Sequence, residues 1–328
     1  MNAEAFILAA GFGTRLRPLT LDRPKPLVPV AGRPVLDQAL TLCRNAGIQE
    51  VVINAHHLAE AVVEYGRQQQ DLAIHVQIER PDILGTGGGL KAASQKLSDR
   101  FIVLNGDILC DAPVRELLSE LDPQCEAVML LRRADEAKRF GVVAADASGR
   151  VVDLVSLARA EADGQIDNST HFTGLHALSQ SALRHVPEGF ACIVRSAYCA
   201  LVPNRAVGSV LLQGDWFDIG NPTDYLEANL AVLRGELRLP LDTKPLASVV
   251  LAAGESRGRW HGPLWVGQNT QIDPTAVLGP DVVLGDGATI GANVKLEQTV
   301  VWDGATVPAN ANLCRAVVHD SGSLNVQG

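Results

Sequence analysis

Near its start the chain carries Gly11 and Gly13 on either side of Phe12, then Thr14, Arg15 and Arg17, and then Lys25 between Pro24 and Pro26. Two glycines this close let backbone N–H groups close on an anion without side-chain clash. Arg15 and Lys25 add the positive charge that a triphosphate demands. The flanking prolines predict an extended backbone around Lys25, which would set where its amine is presented. No Gly-Lys-Ser/Thr follows the glycines at the right distance, so this is not a Walker A loop. Asp107 comes after an apolar strand and an Asn105-Gly106 turn. A turn alone would justify an aspartate there. Beside a phosphate-binding loop, the same carboxylate also suits Mg²⁺, a hard cation that prefers carboxylate and phosphate oxygens.

These residues need elements to hold them. Phe6–Ala10 reads as a strand, and Val35–Ala46 as a helix with Leu36, Leu40 and Cys43 on one face, ended by Gly47. Val51–Asn54, Ile74–Ile78 and Phe101–Leu104 read as further strands, and Leu58–Tyr65 as a helix. Strand–helix alternation at this spacing predicts a mainly parallel sheet covered by helices, a Rossmann-like α/β domain. Ligands of such sheets sit at the carboxyl ends of strands, where both the Gly-rich loop and Asn105-Gly106-Asp107 fall. Farther on, Val142–Ala145 and Val151–Val155 read as a hairpin, Glu161–Ser169 as a polar loop and Tyr225–Arg234 as a closing helix.

The C-terminal part repeats every six residues. Val266, Ile272, Leu278, Leu284, Ile290 and Leu296 are followed in phase by Trp302, Pro308 and Cys314. A period of six belongs to the parallel β-helices. It resembles the left-handed hexapeptide form, in which three hexads make one triangular coil. The loss of aliphatic residues at Trp302 and Pro308 predicts an irregular or capping last coil. The expected division is a catalytic domain over 1–238, a linker over 239–264 centred on Leu239–Pro245, and a short left-handed β-helix over 265–328. Val250–Arg257 echoes the opening motif but lacks the second glycine and the Pro-Lys-Pro, and reads as a linker turn.

Composition narrows the function. A formal net charge of -9 argues against nucleic acid as a partner. No apolar run approaches the ~20 residues needed to span a membrane. The six cysteines are scattered without a Cys-x-x-Cys pair, which speaks against zinc or disulfides and fits a reducing cytoplasm. His171 and His176 lack metal-ligand companions and read as structural, while the pair His56-His57 follows a strand at the edge where ligands bind, although such pairs are common at strand ends.

Gly11-Phe-Gly13-Thr14-Arg15-Leu-Arg17-Pro-Leu-Thr20 together with Pro24-Lys25-Pro26-Leu27 resembles the N-terminal motif of the sugar-1-phosphate nucleotidylyltransferases. The likeness runs from Ala5 to about Arg234. Enzymes of this family join an NTP to a sugar 1-phosphate, giving an NDP-sugar and pyrophosphate. The nearest branches are the mannose-1-phosphate guanylyltransferases and the N-acetylmuramate-1-phosphate uridylyltransferases. The resemblance implies Arg15, Lys25 and Asp107 as catalytic residues. It implies Leu8, Ala10, Gly11, Gly13, Thr14 and Arg15 against the nucleotide, with Glu79, Gly85 and Thr86 around the base. Asn105, Gly141, Thr173 and Gly174 would meet the sugar. Asp107 and Asp218 would hold Mg²⁺, Asp218 matching the aspartate of a Trp-x-Asp-x-Gly-x-Pro segment, although it could instead cap the following helix.

One departure stands out. Many members carry Glu-Lys-Pro after the hairpin, and its lysine grips the sugar phosphate; here the segment is Asp153-Leu-Val-Ser-Leu157, with Arg159 or Arg195 as candidate substitutes. GTP with mannose 1-phosphate is the expected pair. The alternatives are UTP with an amino-sugar or glucose 1-phosphate, and a non-catalytic nucleotide-sugar sensor. Acyl transfer by the β-helix is disfavoured, because only His261 and His319 flank a short helix. A homo-oligomer assembled through the β-helix is expected.

Overall fold

The computed structural model describes residues 2–133, 140–237, 239 and 249–326. The chain divides into two compact units, Met1–Phe12 with Ala39–Gly214, and Gly13–Gln38 with Asp215–Gly328. The division falls inside the Gly-rich loop.

The first unit is built on a seven-stranded sheet. Its strands are β1 (Ala3–Leu8), β2 (Glu50–Ala55), β3 (Ala73–Ile78), β4 (Leu97–Asn105), β5 (Ala127–Arg133), β6 (Thr170–Ser179) and β7 (Val207–Leu211), in the order β7-β5-β6-β4-β1-β2-β3. β1 pairs in parallel with β2 and β4, β2 with β3, and β5 with β7, whereas β6 runs antiparallel to both neighbours. Helices α1 (Val35–Asn45), α2 (Ala59–Gln68) and α3 (Gly85–Ala93) follow the strand–helix alternation read from the sequence. The central strands are apolar on both faces because helices cover both. Phe6, Val52, Phe101, Val103 and Met129 are all fully buried in one core. Gly66 in α2 is small for a reason: a Cβ there would meet Ile74 Cγ2 at 3.2 Å.

The expected hairpin is Val143–Asp146 against Val151–Leu154, extended by Ala158–Arg159 and, at the other edge, by Ile166–Asp167 out of the stretch expected as a polar loop. Asp146 pins its turn. The carboxylate accepts from the backbone N–H of Ser148, Arg150 and Asp163, from the Ser148 hydroxyl, and pairs with Arg205 at 2.8 Å. Burial opposes the charged form, but these donors outweigh it and hold the carboxyl well below the usual carboxylate range.

The second unit contains a three-faced parallel β-helix. On one face Leu264 pairs with Val282, Val282 with Thr299, and Thr299 with Ala316. On the second, Val277 pairs with Lys295 and Lys295 with Asn312; on the third, Gln271 pairs with Thr289 and Thr289 with Thr306. The six-residue phase does not decay, as the sequence had suggested. It slips by one residue. Leu284 stacks on Val301, Ile290 on Val307 and Leu296 on Leu313. The corner made by Gly279-Pro280-Asp281 in one coil is made by Glu297-Gln298 in the next, with Asp281 and Gln298 both at positive φ. Regular pairing therefore continues to Val318, and Trp302 points outward rather than filling an inward position.

Strand structure also begins before the expected β-helix boundary: Val249–Leu251 pairs with Leu264–Val266, and Ser256–Arg257 with Trp260–His261. Of the expected linker core, residues 240–245 lie outside the described residues. Helix α4 (Pro222–Arg234) belongs to this unit; Asn221 caps its start and Gly235 ends it in the left-handed conformation. Among the described residues no helix is long and apolar enough to cross a membrane.

Candidate active site

In the first unit the carboxyl ends of the parallel strands line up. Leu8 is in register with Asn54 on one side and Asn105 on the other. Gly106 N–H donates to the Leu8 carbonyl at 2.9 Å, and a Cβ at 106 would sit 2.9 Å from that oxygen, so only glycine fits. Asp107 follows, partly buried at this edge. Asn105 packs on Gly174, whose φ is 88°; a Cβ there would lie 2.5 Å from Asn105 Nδ2. Two of the residues expected at the sugar thus come together. Thr173 is different. It is buried, and its hydroxyl donates to the Leu130 carbonyl at 2.8 Å inside the sheet. Gly141 has φ 90° and lies against Val155.

Glu79, expected beside the base, is buried beneath the loop. Its Oε1 accepts from Asn54 Nδ2 at 2.8 Å and its Oε2 from the Leu84 N–H at 2.7 Å. Asn54 Oδ1 in turn accepts from the Ala9 N–H at 2.7 Å. A buried carboxylate has to be satisfied by donors, and here they are ones that shape the turn after β1. Asn54 was not singled out from the sequence, although an asparagine closing the apolar run Val51-Val52-Ile53 is a signal that something must bond to it. His56 Nδ1 lies 2.8 Å from the Glu79 carbonyl, and Phe12 meets the rings of His56 and His57 at 5.0 and 6.2 Å. Ala10 is buried, and Gly11 and Phe12 are exposed.

The glycines at the start of α3 allow a close approach. A Cβ at Gly85, where φ is 72°, would come 2.7 Å from the Ala191 carbonyl, and one at Gly88 would clash with the Gly189 carbonyl. Thr86 Oγ1 accepts from the Ile193 N–H at 3.0 Å. Segment 189–193 is thereby bound to the turn expected to read the base. Arg159, a candidate for the absent lysine, forms an ion pair with Asp153 at 2.8 Å.

The second unit holds the basic half of the motif. Gly13 sits at φ 62° before the short 3₁₀ turn Thr14–Leu16, and Thr20 Oγ1 donates to its carbonyl at 2.8 Å. A Cβ at 13 would lie 3.0 Å from Thr20 and 3.1 Å from Lys25, so the loop folds directly against Lys25. Leu16, Leu19 and Val28 anchor this segment in the interior, leaving Arg15 exposed. A Cβ on Gly220 would be 3.3 Å from Asp218 Oδ2, 3.3 Å from Asp224 Oδ2 and 3.6 Å from Arg15 Nη1. Arg15 and Asp218 therefore flank one glycine, with Asp224 as a third member missed in the sequence. Asp218 is not the helix cap. Asn221 takes that role, accepting from the Asp224 N–H at 3.0 Å and donating to its carboxylate at 2.6 Å. Among the described residues no group of three or more His, Cys, Asp or Glu side chains is arranged to hold a metal by itself. Isolated carboxylates suit Mg²⁺, which takes one or two protein carboxylates and completes its shell with water and substrate phosphates.

Residues 4–235 match the nucleotidyl transferase family, and residues 260–326 match the GMPPB C-terminal domain. The chain is 30% identical to mannose-1-phosphate guanylyltransferase 1 of Arabidopsis thaliana over 91% of its own length and 81% of that protein. It is 30% identical to the mannose-1-phosphate guanylyltransferase catalytic subunit beta of Danio rerio, over 84% of this chain and 73% of that one. Among solved structures, HddC from Yersinia pseudotuberculosis shares the fold with TM-score 0.56 at 23% identity, covering 69% of this chain and 98% of that one. The same protein complexed with GMP-PN aligns with TM-score 0.53 at 24% identity. Matched by that family's model over residues 4–235, the chain belongs to the nucleotidyl transferase family.

Proposed function

We propose that this protein is a Mg²⁺-dependent mannose-1-phosphate guanylyltransferase, converting GTP and mannose 1-phosphate to GDP-mannose and pyrophosphate. The observation that carries the choice of substrates is the alignment with guanylyltransferases over 91% of the chain, repeat domain included. The sugar-phosphate oxygen is already anionic at neutral pH, so no general base is needed. It attacks the α-phosphorus in line and pyrophosphate leaves, with catalysis by positioning and charge neutralisation. In this reading backbone N–H groups of Gly11, Gly13 and Thr14 cradle the phosphates. Arg15 holds the β- and γ-phosphates, and Lys25 meets the α-phosphate and the incoming sugar phosphate. Leu8 and Ala10 border the nucleotide, with Gly85 and Thr86 at the base; Asn105, Gly141 and Gly174 face the sugar. Asp107 and Asp218 would hold Mg²⁺, which when bound supplies charge neutralisation at the transferring phosphate.

The test is pyrophosphate release across GTP, UTP, ATP and dTTP, each with mannose, glucose and amino-sugar 1-phosphates. Turnover confined to GTP with mannose 1-phosphate supports the proposal. Preference for UTP would move the protein to a uridylyltransferase, and nucleotide binding without turnover would make it a sensor. Assembly through the β-helix is part of the same reading, and a monomeric mass in solution would remove it.

A further inference from the structure

Trp302 stands out on the β-helix. It occupies the outward position next to the stacked pair Leu284 and Val301, where the preceding coils carry Gly267 and Gly285. Those glycines are forced, since a Cβ at either would meet an aspartate of the next coil, Asp286 or Asp303, at 2.6 or 2.3 Å. Trp302 instead is almost wholly buried, although it points away from the β-helix interior. What buries it belongs to the same compact unit. Its indole N–H donates to the Tyr225 hydroxyl of α4 at 2.8 Å, and that hydroxyl donates to the Pro29 carbonyl at 2.5 Å. The Arg23 guanidinium lies 4.6 Å over the indole face and forms an ion pair with Asp320 at 3.1 Å, while the Ser321 hydroxyl donates to Asp22. His319 meets the indole edge at 5.8 Å.

The two ends of this relay matter. Pro29 follows Lys25 by one 3₁₀ turn, and Arg23 precedes Lys25 by two residues. Asn229 of α4 also accepts from the Ala31 N–H at 3.0 Å. Asp218 leads into α4, and α4 is clamped to the β-helix by Arg234 on Asp281 and by Glu227 on Arg315, both at 2.7 Å. The basic loop and the second carboxylate are thus tied to one face of the β-helix through Trp302, Tyr225 and Arg23.

We infer that this face of the β-helix is a positioning element for nucleotide binding: Trp302 and Tyr225, with the Arg23–Asp320 pair, hold the Gly13–Lys25 loop in the geometry that receives the triphosphate. The inference rests on the reading that Arg15 and Lys25 bind the nucleotide phosphates. None of the four is a catalytic residue; they act through the backbone of the loop. A hydrogen bond of this kind sets a modest but measurable effect.

The experiment uses the full-length protein, with GTP varied at saturating mannose 1-phosphate and the reverse. The variants are Tyr225→Phe, Trp302→Phe and Asp320→Asn, with Arg15→Ala beside them. Loss of the relay should raise KM for GTP about five- to tenfold in Tyr225→Phe, with a smaller rise in KM for the sugar phosphate, which Lys25 also meets. Trp302→Phe and Asp320→Asn should shift it in the same direction by less, and Tyr225→Phe with Trp302→Phe should add nothing beyond Tyr225→Phe, because they share one path. If the variants lose thermal stability or kcat while both KM values stay put, the network only holds the fold and the inference fails. If Arg15→Ala leaves KM for GTP unchanged, the reading of the loop fails first and the inference goes with it. A raised KM in Arg15→Ala alone overturns the positioning role while leaving the loop assignment intact.

Discussion

Glu79 and Asn54 form a buried acid–amide pair at 2.8 Å, and the amide's other end accepts from the Ala9 N–H. The pair therefore shapes the Gly-rich turn after β1 from below. Replacing Glu79 with Ala removes the acceptor for Asn54 and for the Leu84 N–H. Each buried group left unsatisfied costs about 1–3 kcal/mol. The expected outcome in urea unfolding is a lower midpoint at unchanged slope, accompanied by a fall in kcat/KM for every NTP alike. A changed preference among NTPs at unchanged stability would return Glu79 to the base.

Asp107→Asn and Asp218→Asn should each abolish measurable turnover while circular dichroism and Tm stay close to the parent. Both side chains are only partly buried, so a neutral isostere should be tolerated by the fold. Full activity in either variant would remove that residue from the metal assignment, and a Mg²⁺ titration would show whether apparent metal affinity moved.

Gly13→Ala tests the loop's backbone. At φ 62° a non-glycine residue costs about 1–2 kcal/mol, and the added methyl would press on Thr20 and Lys25 at 3.0 and 3.1 Å. KM for the nucleotide should rise about tenfold with a Tm loss of only a few degrees, since the neighbours can yield even though the backbone strain remains. The check is steady-state kinetics beside a melting curve; a large Tm loss with unchanged KM would make the glycine purely structural.

Acid stability should report His176. Complete burial pushes its imidazole from 6.5 down to about 3, and it shares a 2.6 Å hydrogen bond with Tyr198. Between those pH values the unfolded chain binds a proton there that the folded chain refuses. Its contribution is thus complete above pH 6.5 and is lost as pH falls toward 3. Urea unfolding at a series of pH values should show stability falling through this window. His176→Gln should give a shallower decline, even if the variant is less stable at pH 7. An identical slope in the variant would assign the acid sensitivity elsewhere.

Much of this was legible from residue order. The strands around Phe6, Val51, Ile74 and Phe101 announce themselves because central parallel strands are apolar on both faces, and the loop glycines are read from the conformations that only glycine adopts easily. Position in three dimensions was harder. Thr173 and Glu79 lie near motif positions, yet their polar atoms are occupied within the first unit, a fact that only packing reveals. Asp224 escaped notice because an aspartate in a first helical turn is ordinary. The irregular last coil expected at Trp302 and Pro308 has the opposite cause: one residue fewer in the corner before Thr299 puts Val301 rather than Trp302 in the stacked position.

That skipped residue has a wider meaning. A repeat that keeps perfect time shows its surroundings the same kind of outward side chain on every storey, and here that side chain had to be glycine. Dropping one residue from the corner between Leu296 and Thr299 shifts the numbering of inward and outward positions together, so the stacking continues and Trp302 falls at the place that Gly285 holds one coil earlier. With tryptophan there in place of glycine, a monotonous scaffold acquires a single distinctive storey, fixed in height and direction. Restoring a third residue to that corner would lengthen one turn and leave Trp302 where it is, beside the Leu284–Val301 stack.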